Sequence, residues 1–158
     1  MVTIGRPRNL LFTVVFAVVS FMLLRPVAVY FLSLRASEFL NASIIPDAAR
    51  TYRKVLFFNP GDSFTRNWLA YSYGLMGRED DSIREYKKVL EAAPDNLVAN
   101  FDLGMYYWRK GDLDAAEPYF KRAAAAPNDA GFKESEYRFY ANGAADMLKT
   151  IKKKRDGS

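Results

Sequence analysis

The stretch Trp68-Leu69-Ala70-Tyr71-Ser72-Tyr73-Gly74-Leu75-Met76-Gly77 has a counterpart 34 residues further on, Asp102-Leu103-Gly104-Met105-Tyr106-Tyr107-Trp108-Arg109-Lys110-Gly111. Similar residue types recur at matching places in and after these two stretches. The matched pairs are Leu69 with Leu103, Ala70 with Gly104, Tyr73 with Tyr107, Gly77 with Gly111, Asp80 with Asp114, Ser82 with Ala116, Tyr86 with Phe120 and Val89 with Ala123. A fixed period of this length is typical of a helical repeat, which buries its apolar face by stacking on neighbouring units. The pattern therefore predicts a stacked helical scaffold.

Each period predicts two helices joined by a tight turn. Leu69, Ala70 and Tyr73 are spaced so that they share one face of a helix. Gly77 stands where this helix must end, because the left-handed backbone of such a turn disfavours any residue with a side chain. Asp80 follows at the start of the second helix, where an acidic side chain complements the helix dipole. Each unit is thus expected to be a helix hairpin.

This pattern resembles the tetratricopeptide repeat, a helix pair with a period of 34 residues. The resemblance implies an all-α fold, a right-handed superhelical stack of helix hairpins. We expect full repeats at residues 63–96 and 97–130. A degenerate repeat is expected at 29–62, where Arg35 replaces the usual leucine and Ser43 the turn glycine.

Residues 131–158 predict a closing helix with a basic tail. One side of this helix carries apolar residues, namely Tyr137, Ala141, Ala144, Leu148 and Ile151. A terminal repeat exposes an apolar face, so a capping helix is expected there. The basic residues at its end are Lys152, Lys153, Lys154 and Arg155. Two interpretations of them remain open, a contact with anionic lipid and a solvated helix end.

The N-terminal part of the chain predicts a transmembrane helix. After a short polar tail at residues 1–9, residues 10–24 contain no charge, and the apolar pattern resumes after Arg25-Pro26 and continues to residue 34. A cleaved signal peptide, a membrane anchor and a buried soluble helix are the three alternatives. We favour an anchor at 10–34 that continues into the first repeat, because it is apolar on every side and no clear cleavage site follows. The corresponding location is a bacterial inner membrane, with a single span and the repeats exported.

Composition and charge exclude several other functions. The net charge is +5, but residues 36–148 hold 14 basic and 17 acidic residues, so the body carries no basic stripe and no nucleic-acid partner is expected. The chain has no His and no Cys, which removes the usual zinc ligands, thiol nucleophiles and neutral-pH bases. We therefore predict no enzyme activity, no catalytic or metal site and no cofactor.

A protein-binding groove is what the family resemblance implies instead. First helices of successive repeats line a concave surface in this family. The residues placed there are Phe64, Asn67, Tyr71 and Leu75 from one repeat and Val98, Phe101, Met105, Trp108 and Arg109 from the next, with Tyr30, Ser33 and Ser37 from the degenerate repeat. Aromatic and Arg side chains often dominate interface energies, so the expected partner is an apolar or aromatic-rich peptide or helix. The alternative is that some of these rings pack between repeats or under the closing helix.

These features predict a membrane-anchored scaffold or assembly factor that binds a partner polypeptide in its groove. The alternative is a permanent accessory subunit of a larger membrane or envelope complex. The Lys, Asn and Arg set that some family members use to hold a terminal carboxylate is missing at the matching places. The residues that stand there are Ser33, Ser37, Asn67, Val98 and Asp102. A free acidic C-terminus is therefore not the expected ligand.

Overall fold

The computed structural model describes residues 7–128 and 133–157, and over these residues it contains seven α-helices and no strand. The helices are α1 Pro7–Asn41, α2 Ile45–Phe58, α3 Ser63–Leu75, α4 Glu79–Ala92, α5 Leu97–Arg109, α6 Leu113–Ala125 and α7 Glu134–Asp156. The predicted all-α fold is confirmed. Of the predicted segments, the start of the N-terminal tail, the end of the last repeat and the first residues of the closing segment lie outside the described residues.

The chain forms two compact units, Met1–Pro60 and Gly61–Ser158. In the first unit α1 packs against α2, and Ala36 and Val55 are fully buried. α1 runs without interruption through Pro26. In the turn between the two helices, Ser43 adopts a left-handed backbone conformation at φ 59°. The later repeats have a glycine at the corresponding place in the turn.

The second unit consists of two helix hairpins and a closing helix. α3 packs against α4, α5 packs against α6, and α7 packs against both α5 and α6. The residues that recur with the period are mostly buried, including Leu69, Ala70, Tyr73, Tyr86, Val89, Leu103, Ala116, Phe120 and Ala123. Three of these helices are capped at their start by a side chain: Asp62, Asn96 and Asp112 each accept a hydrogen bond from a backbone N–H in the first turn of α3, α5 and α6.

Close helix contacts depend on small residues at two places. A Cβ atom built on Gly104 would lie only 2.7 Å from Cε1 of Phe120, so α5 and α6 touch there with no room for a side chain. A Cβ atom on Gly143 of α7 would lie 3.1 Å from Cε2 of Phe101. Gly143 thus lets α7 come close to α5.

The turns of the two full repeats adopt the predicted left-handed conformation, with φ 71° at Gly77 and 80° at Gly111. Replacing Gly77 with alanine is expected to lower the free energy of unfolding by about 1 kcal/mol, because a Cβ atom there meets nothing within 4 Å and only the backbone is strained. Urea unfolding followed by circular dichroism measures this loss. Gly61→Ala is the matched control, since Gly61 is equally free of neighbours and lies outside the left-handed region. Equal losses in both variants would contradict the backbone explanation.

Candidate functional site

A cavity of about 430 Å³ lies between α3, α5 and α7. We call it the groove pocket. It is lined by Phe64, Asn67, Trp68 and Tyr71 of α3, by Val98, Phe101, Asp102, Met105 and Arg109 of α5, and by Phe139 and Tyr140 of α7. Aromatic rings, a thioether and few polar groups make up its surface, a composition typical of sites that bind organic groups or side chains.

The α3 wall of the groove pocket is a row of three aromatic rings. Phe64, Trp68 and Tyr71 are spaced by four and three residues, which places them on one face of the helix. Neighbouring rings meet edge to face, with centroids 6.1 Å apart for the first pair and 5.9 Å for the second. Phe64 remains 64% exposed and Trp68 36% exposed. The row is therefore an apolar surface that the chain itself does not cover.

Phe101 forms the floor of the groove pocket and joins it to the core. Its ring contacts buried Phe120 of α6 at a centroid distance of 6.1 Å. On the other side it contacts Tyr140 at 5.3 Å and Phe139 at 6.2 Å, both from α7. The closing helix thus supplies one wall of the pocket and fixes the position of the floor.

Ionisable side chains lie among these rings. Asp102 accepts a short hydrogen bond from the hydroxyl of Tyr86, and Arg109 is close enough for its charge to favour the carboxylate. Burial among apolar groups outweighs both effects and raises the pKa of the Asp102 carboxyl to about 6. Burial, with the nearby Asp102 charge, also raises the pKa of Tyr140 to about 12. The pocket therefore carries one carboxylate that is costly to leave charged without a partner.

Asn67 takes part in holding the two repeats together. Its side chain is only 8% exposed, and its Nδ2 donates to Oδ1 of Asn96, the N-cap of α5, at 3.1 Å. Its own Oδ1 is buried and has no hydrogen-bond partner. The hydrogen bond to Asn96 therefore holds Asn67 in place at the pocket and joins α3 to the start of α5.

Most of the residues predicted for the groove lie around this cavity. The structure brings together Phe64, Asn67, Tyr71, Val98, Phe101, Met105 and Arg109. Leu75 lies one step along α3, in an adjoining cavity of about 230 Å³ that also contacts Tyr71, Met105 and Arg109. The predicted residues of the degenerate repeat, Tyr30, Ser33 and Ser37, belong to the first compact unit.

Trp108 differs from its predicted place. Its ring packs against the cluster that α7 forms with α5 and α6, and Nζ of Lys154 lies 4.3 Å from the ring centroid. Trp108 therefore packs under the closing helix, which was the alternative to a place in the groove. Arg155 of α7 also pairs with Glu117 of α6, Nη1 to Oε2 at 2.6 Å, and with Asp114. All four basic tail residues are exposed, and two of them, Lys154 and Arg155, also attach the closing helix.

The sequence prediction missed four residues of the pocket, namely Trp68, Asp102, Phe139 and Tyr140. Trp68 follows Phe64 by one helical turn, so the helical spacing itself was a usable signal. Phe139 and Tyr140 gave no periodic signal because α7 lies outside the repeat. Within the described residues, no group of three or more Asp or Glu side chains is placed to hold a metal ion.

The Asp102 carboxyl predicts a pH dependence of stability. Its pKa in the folded chain, about 6, lies above that of an unfolded chain, so its charged form is disfavoured by folding and this cost falls as the pH drops from 7 towards 4. Asp102→Asn keeps an oxygen acceptor for Tyr86 and is expected to raise the free energy of unfolding at pH 7.5 by about 1 kcal/mol. Urea unfolding at pH 7.5 and pH 5 should show this gain shrinking at the lower pH. Asp95→Asn, at an exposed loop carboxylate, is the control; a gain at pH 5 as large as at pH 7.5 would contradict the assignment.

Known proteins share both the repeat and the fold. A family model described as tetratricopeptide repeat matches residues 67–130. The fold is similar to the type III secretion translocator chaperone SycD of Yersinia enterocolitica, with a TM-score of 0.69 and 20% identity over 80% of this chain and 85% of SycD. It is also similar to PcrH from Pseudomonas aeruginosa, with a TM-score of 0.67 and 18% identity over 78% of this chain and 91% of PcrH.

One curated relative extends the comparison. The anaphase-promoting complex subunit CDC16 of Saccharomyces cerevisiae is 31% identical over 97 residues, which is 60% of this chain but only 11% of CDC16. The paired helices and the groove pocket define a helical-repeat protein. More narrowly, residues 67–130 match the model of the tetratricopeptide repeat family.

Proposed function

We propose that this protein is a membrane-anchored scaffold that binds a segment of a partner polypeptide in the groove pocket. The observation that carries the proposal is the uncovered aromatic row of α3, Phe64, Trp68 and Tyr71, beside an open cavity. Large exposed aromatic side chains in a concave surface are typical of a protein interface. In this proposal the repeats at 63–96 and 97–130 supply the binding groove, and the degenerate repeat at 29–62 joins them to the anchor.

The proposed partner segment is apolar or rich in aromatic residues, as a helix or an extended peptide. Its side chains would displace water from the rings and from Met105, whose flexible thioether adapts to different shapes. Asp102 would orient the segment by accepting hydrogen bonds in the pocket, and Arg109 by donating them. Two similar structures contain a polypeptide ligand: SycD in complex with a peptide of the translocator YopD, and PcrH in complex with the chaperone binding region of PopD.

The proposed anchor is α1. Among the described residues, one helix is long and apolar enough to cross a membrane, judged by length and composition, over Leu10–Asn41. Large apolar side chains along it are exposed, including Leu10, Phe12, Phe16 and Leu23. A water-exposed surface of this kind is costly unless lipid or protein covers it. A single span of a bacterial inner membrane, with the repeats exported, remains our proposal for its location.

Photocrosslinking tests the groove. A benzoylphenylalanine at residue 71, in the pocket, is expected to crosslink a discrete polypeptide in the native host. The same group at residue 87, which is exposed on α4, is expected not to do so. Trp68→Ala should reduce the product at 71. Identical products from both places, or a product at 71 that Trp68→Ala leaves unchanged, would refute binding in the groove pocket.

Purification in mild detergent distinguishes a scaffold from a permanent accessory subunit. A scaffold or assembly factor is expected to release its partner during purification in mild detergent. If the polypeptide crosslinked at residue 71 instead stays with the protein at a fixed ratio, the permanent accessory subunit is the correct form.

A further inference from the structure

The C-terminus of α2 is attached to the apolar part of α1. Nε of Arg25 donates a hydrogen bond to the carbonyl oxygen of Phe58 at 2.5 Å. The ring of Phe58 lies 6.2 Å from that of Phe21 and 5.3 Å from that of Phe57. The last carbonyls of a helix lack partners within the helix, so a guanidinium there is favourable. α2 therefore ends beside residues 21–25 of α1.

This attachment limits how far the bilayer can extend along α1. Arg53 and Lys54 are exposed on α2, and Lys54 precedes Phe58 by about one helical turn, roughly 6 Å along the axis. Beyond Arg25, α1 therefore runs beside a charged helix. A charged side chain in the bilayer centre is costly, so we expect the hydrocarbon core to end near Arg25 and not at residue 34.

The part of α1 that remains for the bilayer is short. Its uncharged part, from Leu10 to Leu24, is about 22 Å long at 1.5 Å per residue, so a hydrocarbon core of about 30 Å reaches the charged residues at both ends. Arg25 then lies at the edge of the core, where its hydrogen bond to α2 replaces part of its hydration.

Phe57 lies at the same level and is 78% exposed. Burial within the chain therefore does not explain an aromatic pair at the end of α2. Phospholipid interfaces favour apolar rings flanked by cations, because the ring enters the acyl boundary while the cation contacts headgroups.

We propose that Phe57 and Phe58 insert into the interface of the phospholipid bilayer that α1 spans, flanked by Arg25, Arg53 and Lys54. The protein would then hold the membrane by two contacts, the α1 span and the end of α2, which fixes the first unit at the surface. This inference rests on the proposed membrane anchor.

Nitroxide quenching tests the placement in the full chain. The chain has no cysteine, so single cysteines carry an environment-sensitive NBD label without competing sites. Three exposed places are labelled: Val18 in the proposed span, Phe57 at the proposed interface, and Leu34 beyond it. The variants Val18→Cys, Phe57→Cys and Leu34→Cys are reconstituted in vesicles of phosphatidylcholine and phosphatidylglycerol, with and without nitroxide-labelled lipid, after circular dichroism confirms their helix content.

The expected result is quenching of the labels at residues 18 and 57, with a blue-shifted emission at both, and no quenching at residue 34. Quenching at 18 without quenching at 57 would overturn the interfacial contact and leave the anchor in place. Quenching at 34 as strong as at 18 would also overturn it, because the bilayer would then extend past Arg25. Absence of quenching at 18 would instead refute the anchor itself.

Discussion

Gly104→Leu is expected to lower the free energy of unfolding by about 3 kcal/mol or more, at the upper end of overpacking effects. A Cβ atom at this residue would lie 2.7 Å from Cε1 and 2.8 Å from Cδ1 of Phe120. Phe120 has no room to move, because its ring is fully buried and rests against Phe101. The α5–α6 hairpin must therefore separate, and urea unfolding followed by circular dichroism measures the loss.

A matched glycine tests whether the clash is responsible. Gly74 also lies inside a helix, but a Cβ atom there would contact only Oγ of Ser82 at an ordinary 3.6 Å. Gly74→Ala is therefore expected to be neutral or to stabilise by up to about 1 kcal/mol, because alanine loses less backbone entropy on folding. Gly104→Ala should still destabilise. If Gly104→Ala behaved like Gly74→Ala, the close contact with Phe120 would be disproved.

The double variant Gly104→Leu with Phe120→Leu locates the clash further. A smaller side chain at residue 120 leaves space for the new leucine, so the double variant should be more stable than the sum of the two single losses predicts. Residues in contact commonly show coupling of about 0.5–3 kcal/mol. Additive losses would mean that Gly104 and Phe120 do not meet as described.

The core of the second unit was predictable because it repeats. A residue such as Ala70 or Leu103 recurs with its period, and only stacked helix pairs make that period physically useful. The structure buries both residues. The turns were predictable as well, because glycine is the residue that most readily adopts the left-handed backbone found at Gly77 and Gly111. Ser43 shows the limit of that signal, because it adopts the same conformation at φ 59° without glycine.

The groove pocket was only partly predictable, because one of its walls comes from outside the repeat. The family resemblance implies which side chains of α3 and α5 line a concave surface, and Tyr71 and Met105, which it places there, lie in the pocket. How α7 packs on α5 depends on close contacts such as that between Gly143 and Phe101. The 34-residue period does not predict that contact, because α7 lies outside the repeats. The places of Trp108 and Tyr140 therefore needed the structure.

The two tryptophans of the chain are expected to separate stability from binding. Trp108→Ala should lower the free energy of unfolding by about 2–3 kcal/mol, through lost packing under α7 and a lost cation–π contact with Lys154. Trp68→Ala should change it by less than about 1 kcal/mol, because Trp68 is exposed in the α3 row. Urea unfolding in detergent measures both variants.

Crosslinking of the partner should be affected in the opposite order, with the larger loss in Trp68→Ala and the smaller loss in Trp108→Ala. Crosslinking from residue 71 is expected to fall strongly in Trp68→Ala, because that ring adjoins Tyr71 at 5.9 Å in the wall of the groove pocket. Under conditions where Trp108→Ala is still folded, its crosslinking should stay near that of the unchanged chain, since its ring faces α7 and not the pocket. A strong loss of crosslinking in folded Trp108→Ala would return Trp108 to the binding surface. A large loss of stability in Trp68→Ala would instead make the aromatic row of α3 a part of the core, and the groove would lose the exposed wall on which the proposed partner binding depends.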